Sequence, residues 1–386
     1  MASKSRSKKL SRNVIIALIA ITLIVAVAVA ALYFAAPDTF WTIVGFFNPD
    51  ADNSGGSGAL ERGDGDLQIH FIDVGQGDCI LILFPDGNDM LIDCGNKSTG
   101  YDFDETAEYL DTYIEDDELD YLMLTHGDED HVEYLDDILD MYQVNNIFMP
   151  NILAAPNGES DSAQELRDEI ARLDPEKTAM FTDEDVLTSQ IYAKFFIAAL
   201  TEPDCKVTLN VDPDEETNSI VINDEENTYR LVFYCPTQEF YDNEDLNSAE
   251  DKNAVSPIGI LEYNGFRIVL TGDSNELNEP DFVERVGKID CDVLKVAHHG
   301  SETSSTDEFL DCIDCEYAVI SCNAEGNTFY HPRQATLDRL TERDMTIYRT
   351  DNNGTIVLTV NETLTFTTEL PVSQADNAQG LTGKEN

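Results

Sequence analysis

The sequence predicts an α/β fold preceded by one membrane-spanning helix. Three observations carry this. Apolar runs of strand length recur along the chain, several of them ending in Gly-, Asn- or Asp-containing turns. Helical spacing breaks in between them, as at Val132, Leu135, Leu139 and Tyr142. The residues with ligand chemistry gather just past the ends of apolar runs, where open α/β sheets assemble their sites.

The spanning helix comes first. Residues 1–13 form a basic stub with Lys4, Arg6, Lys8, Lys9 and Arg12 and no acid. Residues 14–36 are then 23 positions without a charge. At about 1.5 Å per residue such a helix crosses a hydrocarbon core of about 30 Å. No further basic residue follows until Arg62, so the positive-inside bias puts the stub in the cytoplasm and the rest outside. A secreted form released by signal cleavage is the competing reading, although a signal peptide has an apolar core of only about 7–15 residues. Residues 37–66 read as a flexible linker, rich in Gly, Ser and Asp from position 48.

A single domain follows over 67–371. Alternation over 68–74 leads to the turn Gly75-Gln76-Gly77, an apolar strand over 79–84, a Pro-Asp-Gly-Asn turn, and a strand over 90–92. Residues 121–124 are a short buried strand, and the helical spacing starts directly after His131. Residues 151–250 are acidic and less regular: a helix over 162–173, a loop-rich insertion, and a return strand over 230–234. Strands over 259–262 and 266–270 flank Tyr263-Asn264-Gly265, and further strands lie at 293–297, 318–321 and 356–360. Residues 372–386 read as a disordered tail.

Composition narrows the partners. There are 23 Lys plus Arg against 76 Asp plus Glu, a formal charge of −53, in a chain of 386 residues. That surface repels nucleic acid and anionic lipid, with a reach limited by salt to roughly 8 Å. The eight cysteines sit mostly in apolar runs and read as small hydrophobes. Cys312 and Cys315 have CxxC spacing but no second pair at zinc-finger distance. If the domain is exported, one or two disulfides can form, and the sequence does not say which.

The chemistry lies in a few loops. The chain has six histidines, and five of them sit in polar clusters past strands. The densest is Thr125-His126-Gly127-Asp128-Glu129-Asp130-His131. Imidazole and carboxylate together hold a catalytic Zn²⁺ or Mn²⁺ while leaving room for water. Leu270-Thr271-Gly272-Asp273 ends a later strand, and Lys295-Val296-Ala297-His298-His299-Gly300-Ser301 ends the next. Asp93 follows the strand over 90–92, and His331-Pro332 lies in a late loop. His70, inside an alternating strand, reads as structural.

In order, Asp-Val-Gly-Gln-Gly-Asp (73–78), Ile-Asp-Cys-Gly (92–95), Thr-His-Gly-Asp-Glu-Asp-His (125–131), Leu-Thr-Gly-Asp (270–273), Lys-Val-Ala-His-His-Gly-Ser (295–301), Tyr-His-Pro (330–332) and Tyr-Arg-Thr-Asp-Asn-Asn-Gly (348–354) resemble the metallo-β-lactamase superfamily. More narrowly, they are similar to the extracytoplasmic hydrolase domain of ComEC-type DNA-uptake proteins and their stand-alone relatives. The resemblance spans about residues 67–361. It implies a four-layer αββα sandwich holding one or two divalent ions, Zn or Mn, at one edge of its sheets. It implies that His126 and Asp128 hold one ion, that Asp130 and His131 hold the other, that Asp273 bridges, and that His298 or His299 completes the set. It further implies that Asp130 orients or deprotonates the nucleophile and that His331 sits near the substrate as a proton donor. Asp93 orients a ligand, while Gln76, Asp78, Asn253 and Ser301 stand near the site, Ser301 as a loop-shaping hydroxyl.

The sequence departs from that pattern in three places. Asp128 stands where the superfamily usually has a histidine. No histidine lies between His131 and His298, and Asn253 or Ser256 occupies the corresponding stretch. Glu133 and Tyr134 replace the small residues that commonly follow the final motif histidine. The expected function is a metal-dependent phosphodiesterase or nuclease, anchored to the membrane through 14–36 and acting outside the cell, on nucleic acid or a cell-wall phosphodiester. The alternatives are hydrolysis of another ester, lactone or β-lactam, and a non-catalytic metal-binding surface module. No protein partner is expected. Basic residues near the loops are few, chiefly Lys97, Lys252, Lys295 and Arg333.

Overall fold

Two stacked sheets carry the chain from Leu67 onward in this computed structural model, which describes residues 63–381 apart from 64, 97–102, 115, 182–185, 213–219, 227, 244–245 and 324–327. The stub, the expected spanning segment at 14–36 and most of the linker lie outside the described residues. Among the described residues, no helix is long and apolar enough to cross a membrane.

The first sheet has strand order β15-β14-β1-β2-β3-β4-β5-β6. Its members are β1 (Leu67–Phe71), β2 (Cys79–Leu83), β3 (Asp89–Cys94), β4 (Glu118–Met123), β5 (Gln143–Met149), β6 (Lys206–Leu209), β14 (Ile356–Val360) and β15 (Leu364–Thr368). The second runs β13-β12-β11-β10-β9-β8-β7. It is built from β7 (Ile220–Asn223), β8 (Tyr229–Tyr234), β9 (Ile258–Tyr263), β10 (Phe266–Leu270), β11 (Val293–Lys295), β12 (Tyr317–Ile320) and β13 (Thr346–Arg349).

Three apolar cores follow from the two faces of each strand. Phe71, Ile82, Met90, Leu231, Ile268 and Leu358 pack between the sheets. On the outer face of the first sheet, Leu81, Leu91 and Leu122 meet helices α1 (Phe103–Tyr113), α2 (Glu129–Val132), α3 (Leu135–Met141), α4 (Asp161–Ile170) and α5 (Gln190–Thr201). On the outer face of the second, Val269, Leu294 and Ala318 meet α6 (Glu279–Val286), α7 (Asp307–Ile313) and α8 (Gln334–Thr341). The result is the expected αββα layering, since each sheet buries one face on the other sheet and one under helices.

Strand direction positions the site. β3, β4, β5 and β6 are mutually parallel, as are β10, β11, β12 and β13. The ends of β3 and β4 in one sheet and of β10, β11 and β12 in the other therefore deliver their loops to a common edge.

Several expectations are corrected. The helix after His131 starts earlier, at Glu129, and breaks at Glu133-Tyr134 into α2 and α3. The insertion over 151–250 holds a buried helix, α5, whose Tyr192, Phe195 and Phe196 fill the core. One more strand, β15, follows the expected strand over 356–360 and pairs with it. Residues 372–381 are not a frayed tail: α9 (Gln374–Asn377) docks on β13. Asn377 is fully buried there, and its amide donates to the Ile347 carbonyl at 2.7 Å. The polar composition of that segment hid its bonding to backbone.

A candidate metal centre at the strand ends

Asp93 is the hub from which the site is built. It is the penultimate residue of β3 and has φ 56°, a left-handed conformation costly for a residue with a Cβ. That turn aims its carboxylate across at the β4 loop. Oδ1 accepts the Thr125 backbone N–H at 2.7 Å, and Oδ2 accepts both the Thr125 hydroxyl at 2.7 Å and His131 Nδ1 at 2.8 Å. Thr125 Oγ1, its proton committed to Asp93, lies 3.2 Å from His126 Nδ1. The network thus assigns the N–H of each neutral ring to Nδ1, so that in the neutral form Nε2 is the free ligand atom. His299 is fixed the same way, with Nδ1 2.9 Å from the Ser321 carbonyl.

The freed nitrogens converge on Asp273, delivered by β10. Its Oδ1 lies 3.2 Å from His131 Nε2 and 3.7 Å from His299 Nε2. Its Oδ2 lies 3.9 Å from His126 Nε2 and 3.6 Å from His298 Nε2. Asp130 Oδ2 approaches His299 Nε2 at 3.7 Å. His126 Nε2, His131 Nε2, His299 Nε2 and Asp273 Oδ1 are all buried and, among the described residues, find no hydrogen-bond partner. Buried polar atoms without partners are rare and costly. Here they belong to residue types that bind metals, and the opposite ring nitrogens are held by protein, the arrangement that orients metal-ligating histidines. The residues fit a divalent ion: His126, His131 and Asp273 form one group able to hold it, and Asp130, His131 and His299 another.

Charge follows geometry. Burial raises the Asp273 carboxyl, but the charges of His131, His299 and His298 outweigh it and hold Asp273 well below the usual carboxylate range. Burial also opposes a charge on His131, yet Asp273 and Asp93 push that imidazole well above its ordinary value. His126 goes the other way, lowered by burial and by His131 beside it.

Of the remaining expected residues, Asp78 is buried and its Oδ2 accepts from the equally buried Lys295 at 2.7 Å. Asp78 stands 3.8 Å from His299 Nδ1 and 4.0 Å from His131 Nδ1. Asn253 Nδ2 lies 3.2 Å from His298, and Ser256 Oγ 3.4 Å from His126 Nδ1. Gln76 Oε1 accepts the Asn323 N–H at 3.3 Å. Ser301 turns to Thr303, with the two hydroxyls 3.1 Å apart.

Asp128 is absent from every group of described residues able to hold a metal; it stands half-buried on the wall of a cavity of about 190 Å³, with Gly127, Glu129, Tyr192 and Lys252. His298 lies on the Asp273 Oδ2 side. His331 is buried beside His298, with ring centroids 5.0 Å apart. Burial, then the charges of His298 and His299, push its imidazole down to about 3. Lys97 lies outside the described residues. Sequence reasoning missed the outer partners Thr125 and Ser321, for which a hydroxyl and a backbone carbonyl give no pattern.

Residues 72–195 match the family model described as Metallo-beta-lactamase superfamily. Over those residues the chain is similar to that superfamily. It is homologous to ComE operon protein 3 of Bacillus subtilis (strain 168), with 25% identity over 302 residues, 75% of this chain and 32% of that protein. Competence protein ComA of Neisseria gonorrhoeae is 33% identical over 107 residues, 28% of this chain and 15% of its own length. Recombination protein 2 of Haemophilus influenzae (strain ATCC 51907 / DSM 11121 / KW20 / Rd) is 34% identical over 89 residues, 23% of this chain and 11% of its length. The chain thus spans about a third or less of the curated relatives it matches. Among solved structures it is similar to the metallo-beta-lactamase fold protein YhfI from Bacillus subtilis, at 11% identity and TM-score 0.42, covering 76% of this chain and all of that one.

Proposed function

We propose that this metallo-beta-lactamase domain is a metal-dependent phosphodiesterase held on the outer face of a membrane by residues 14–36. The single observation carrying the reading is the convergence of three histidine Nε2 atoms on Asp273 with their outer nitrogens already held. A divalent ion bound there supplies Lewis-acid polarisation and positive charge for a developing anion. The chain supplies the rest. Asp93 and Thr125 fix the His126 and His131 rings, and the Ser321 carbonyl fixes His299. Asp273 offers Oδ1 to the His131 and His299 side and Oδ2 to the His126 and His298 side. Asp130, on the His299 side, accepts the proton of the attacking water at Oδ2. Lys295 neutralises Asp78 beneath the cluster, so the added negative charge of the site is moderated from within.

The resemblance of the motifs to those of ComEC-type DNA-uptake proteins supports a nucleic-acid substrate. The charge of −53 argues for a short phosphodiester rather than a long polynucleotide, since non-specific affinity for nucleic acid comes from Lys and Arg contacts. A chromogenic phosphodiester such as bis(p-nitrophenyl) phosphate tests the reading. Hydrolysis should stop with chelator, return with Mn²⁺ or Zn²⁺, and fall by on the order of 100-fold or more in Asp130→Ala or His131→Ala. Tight metal binding without turnover of any phosphoester would instead favour another ester or a non-catalytic module. Full activity in either folded variant would remove the assigned site.

A further inference from the structure

We propose that Cys79 and Cys94 are a disulfide-forming pair whose bond staples together the two loops beneath the metal centre. They are cross-strand partners at the site end of the antiparallel β2–β3 pair. Both are fully buried, and their sulfurs lie 3.3 Å apart. A disulfide is about 2.05 Å long and joins Cα atoms usually about 4.4–6.8 Å apart, a range that includes directly opposed residues of an antiparallel pair. Closure therefore asks the sulfurs to approach by only about 1 Å. The sequence leaves an export-dependent bond open to choice; Cys291 and Cys315 also touch, but Cys79 and Cys94 are the pair held in strand register beside the site.

Position gives the bond a consequence. Cys79 directly follows Asp78, the partner of Lys295, and Cys94 directly follows Asp93, the hub of His131 and Thr125. The same loops already touch: the Gly95 N–H donates to the Asp78 carbonyl at 3.2 Å, and the Asp78 N–H to the Asp130 carbonyl at 3.0 Å. A covalent link one residue below would hold this register while the site is empty of metal. The oxidant is a small-molecule disulfide of the glutathione type. Two thiols lose two electrons and two protons to form the Cys79–Cys94 bond, and the oxidant's S–S bond breaks to give two glutathione thiols. Because the native pair is out of reach of solvent, exchange occurs as the strands pair during folding. The proposed location outside the membrane is used only for where oxidising conditions occur; the bond is tested without reference to hydrolysis.

The full chain, unfolded and refolded in a buffer of reduced and oxidised glutathione, is denatured with maleimide and weighed. Six adducts rather than eight are expected, all eight after reductant, and a proteolytic fragment linking Cys79 to Cys94. The oxidised chain should unfold at a urea midpoint higher by on the order of 1 M than the reduced one. That difference should vanish in Cys79→Ala or Cys94→Ala and persist in Cys205→Ala. Should a buried variant fail to fold, the adduct count and linked fragment of the unaltered chain still decide. Eight adducts from the oxidised chain, or a link between other cysteines, would overturn the proposal.

Discussion

Asp93 does more than any ligand to define this site, because one carboxylate holds His131 directly and His126 through Thr125. Asp93→Asn keeps the shape and weakens both bonds. Outer partners of this kind typically contribute about 10–100-fold in metal affinity; a competition titration with a chelating dye should show a loss of that order. A second residue reports on pH. Burial, with Glu369 and Asp351 nearby, lifts the Asp73 carboxyl from 3.8 to about 6. The native state therefore holds this proton more tightly than the unfolded chain. The contribution to stability is full below about pH 4 and is lost as pH rises through about 6. Asp73→Asn should accordingly stabilise the domain at pH 7 by ~2 kcal/mol, with the gain vanishing near pH 4 in urea melts. At this scale the ligand types were legible in the sequence, since His126, His131 and Asp273 stand in motifs. The surroundings of Asp128 and His331 were not, because burial and aim decide them and neither leaves a mark on spacing.

At the scale of elements, the site depends on three loops in backbone contact. A Cβ on Gly95 would lie 2.4 Å from the His131 nitrogen and 2.5 Å from the Glu129 carbonyl oxygen, and one on Gly77 would lie 2.1 Å from the Gly95 carbonyl oxygen. These neighbours are backbone and cannot rotate away. Gly95→Ala should destabilise the domain by about 1–3 kcal/mol in urea unfolding, with metal affinity reduced in the folded fraction. An unchanged midpoint would mean that the loops are not packed as described. Strands with pure apolar runs, such as β2 and β10, were readable from the sequence alone. Strand β5, with Asn145 and Asn146 in its middle, was not: both side chains bond to Asp120 on β4, which makes polar residues acceptable in a strand. Helix α9 escaped notice for the same reason, its Gln374 and Asn377 serving the backbone of β13.

At the scale of the molecule, layering and loop convergence were legible because strand periodicity and motif order are global patterns. The anchor belongs to this scale as well. Five basic residues before 23 uncharged ones predict that residues 48–386 face outward. Protease added to intact cells should then digest the domain, and protection until lysis would reverse the topology. The central claim is the metal centre. Its most direct test is the metal content of the purified chain, by elemental analysis after dialysis against Mn²⁺ or Zn²⁺. The account predicts one or two ions per chain. With two, the His126 and His298 side is the weaker, because the side chain of His298 is 23% exposed. Asp273→Ala, which removes both carboxylate oxygens, should lose them. A folded chain that binds no divalent ion, or an Asp273→Ala variant that binds as the unaltered chain does, would contradict it.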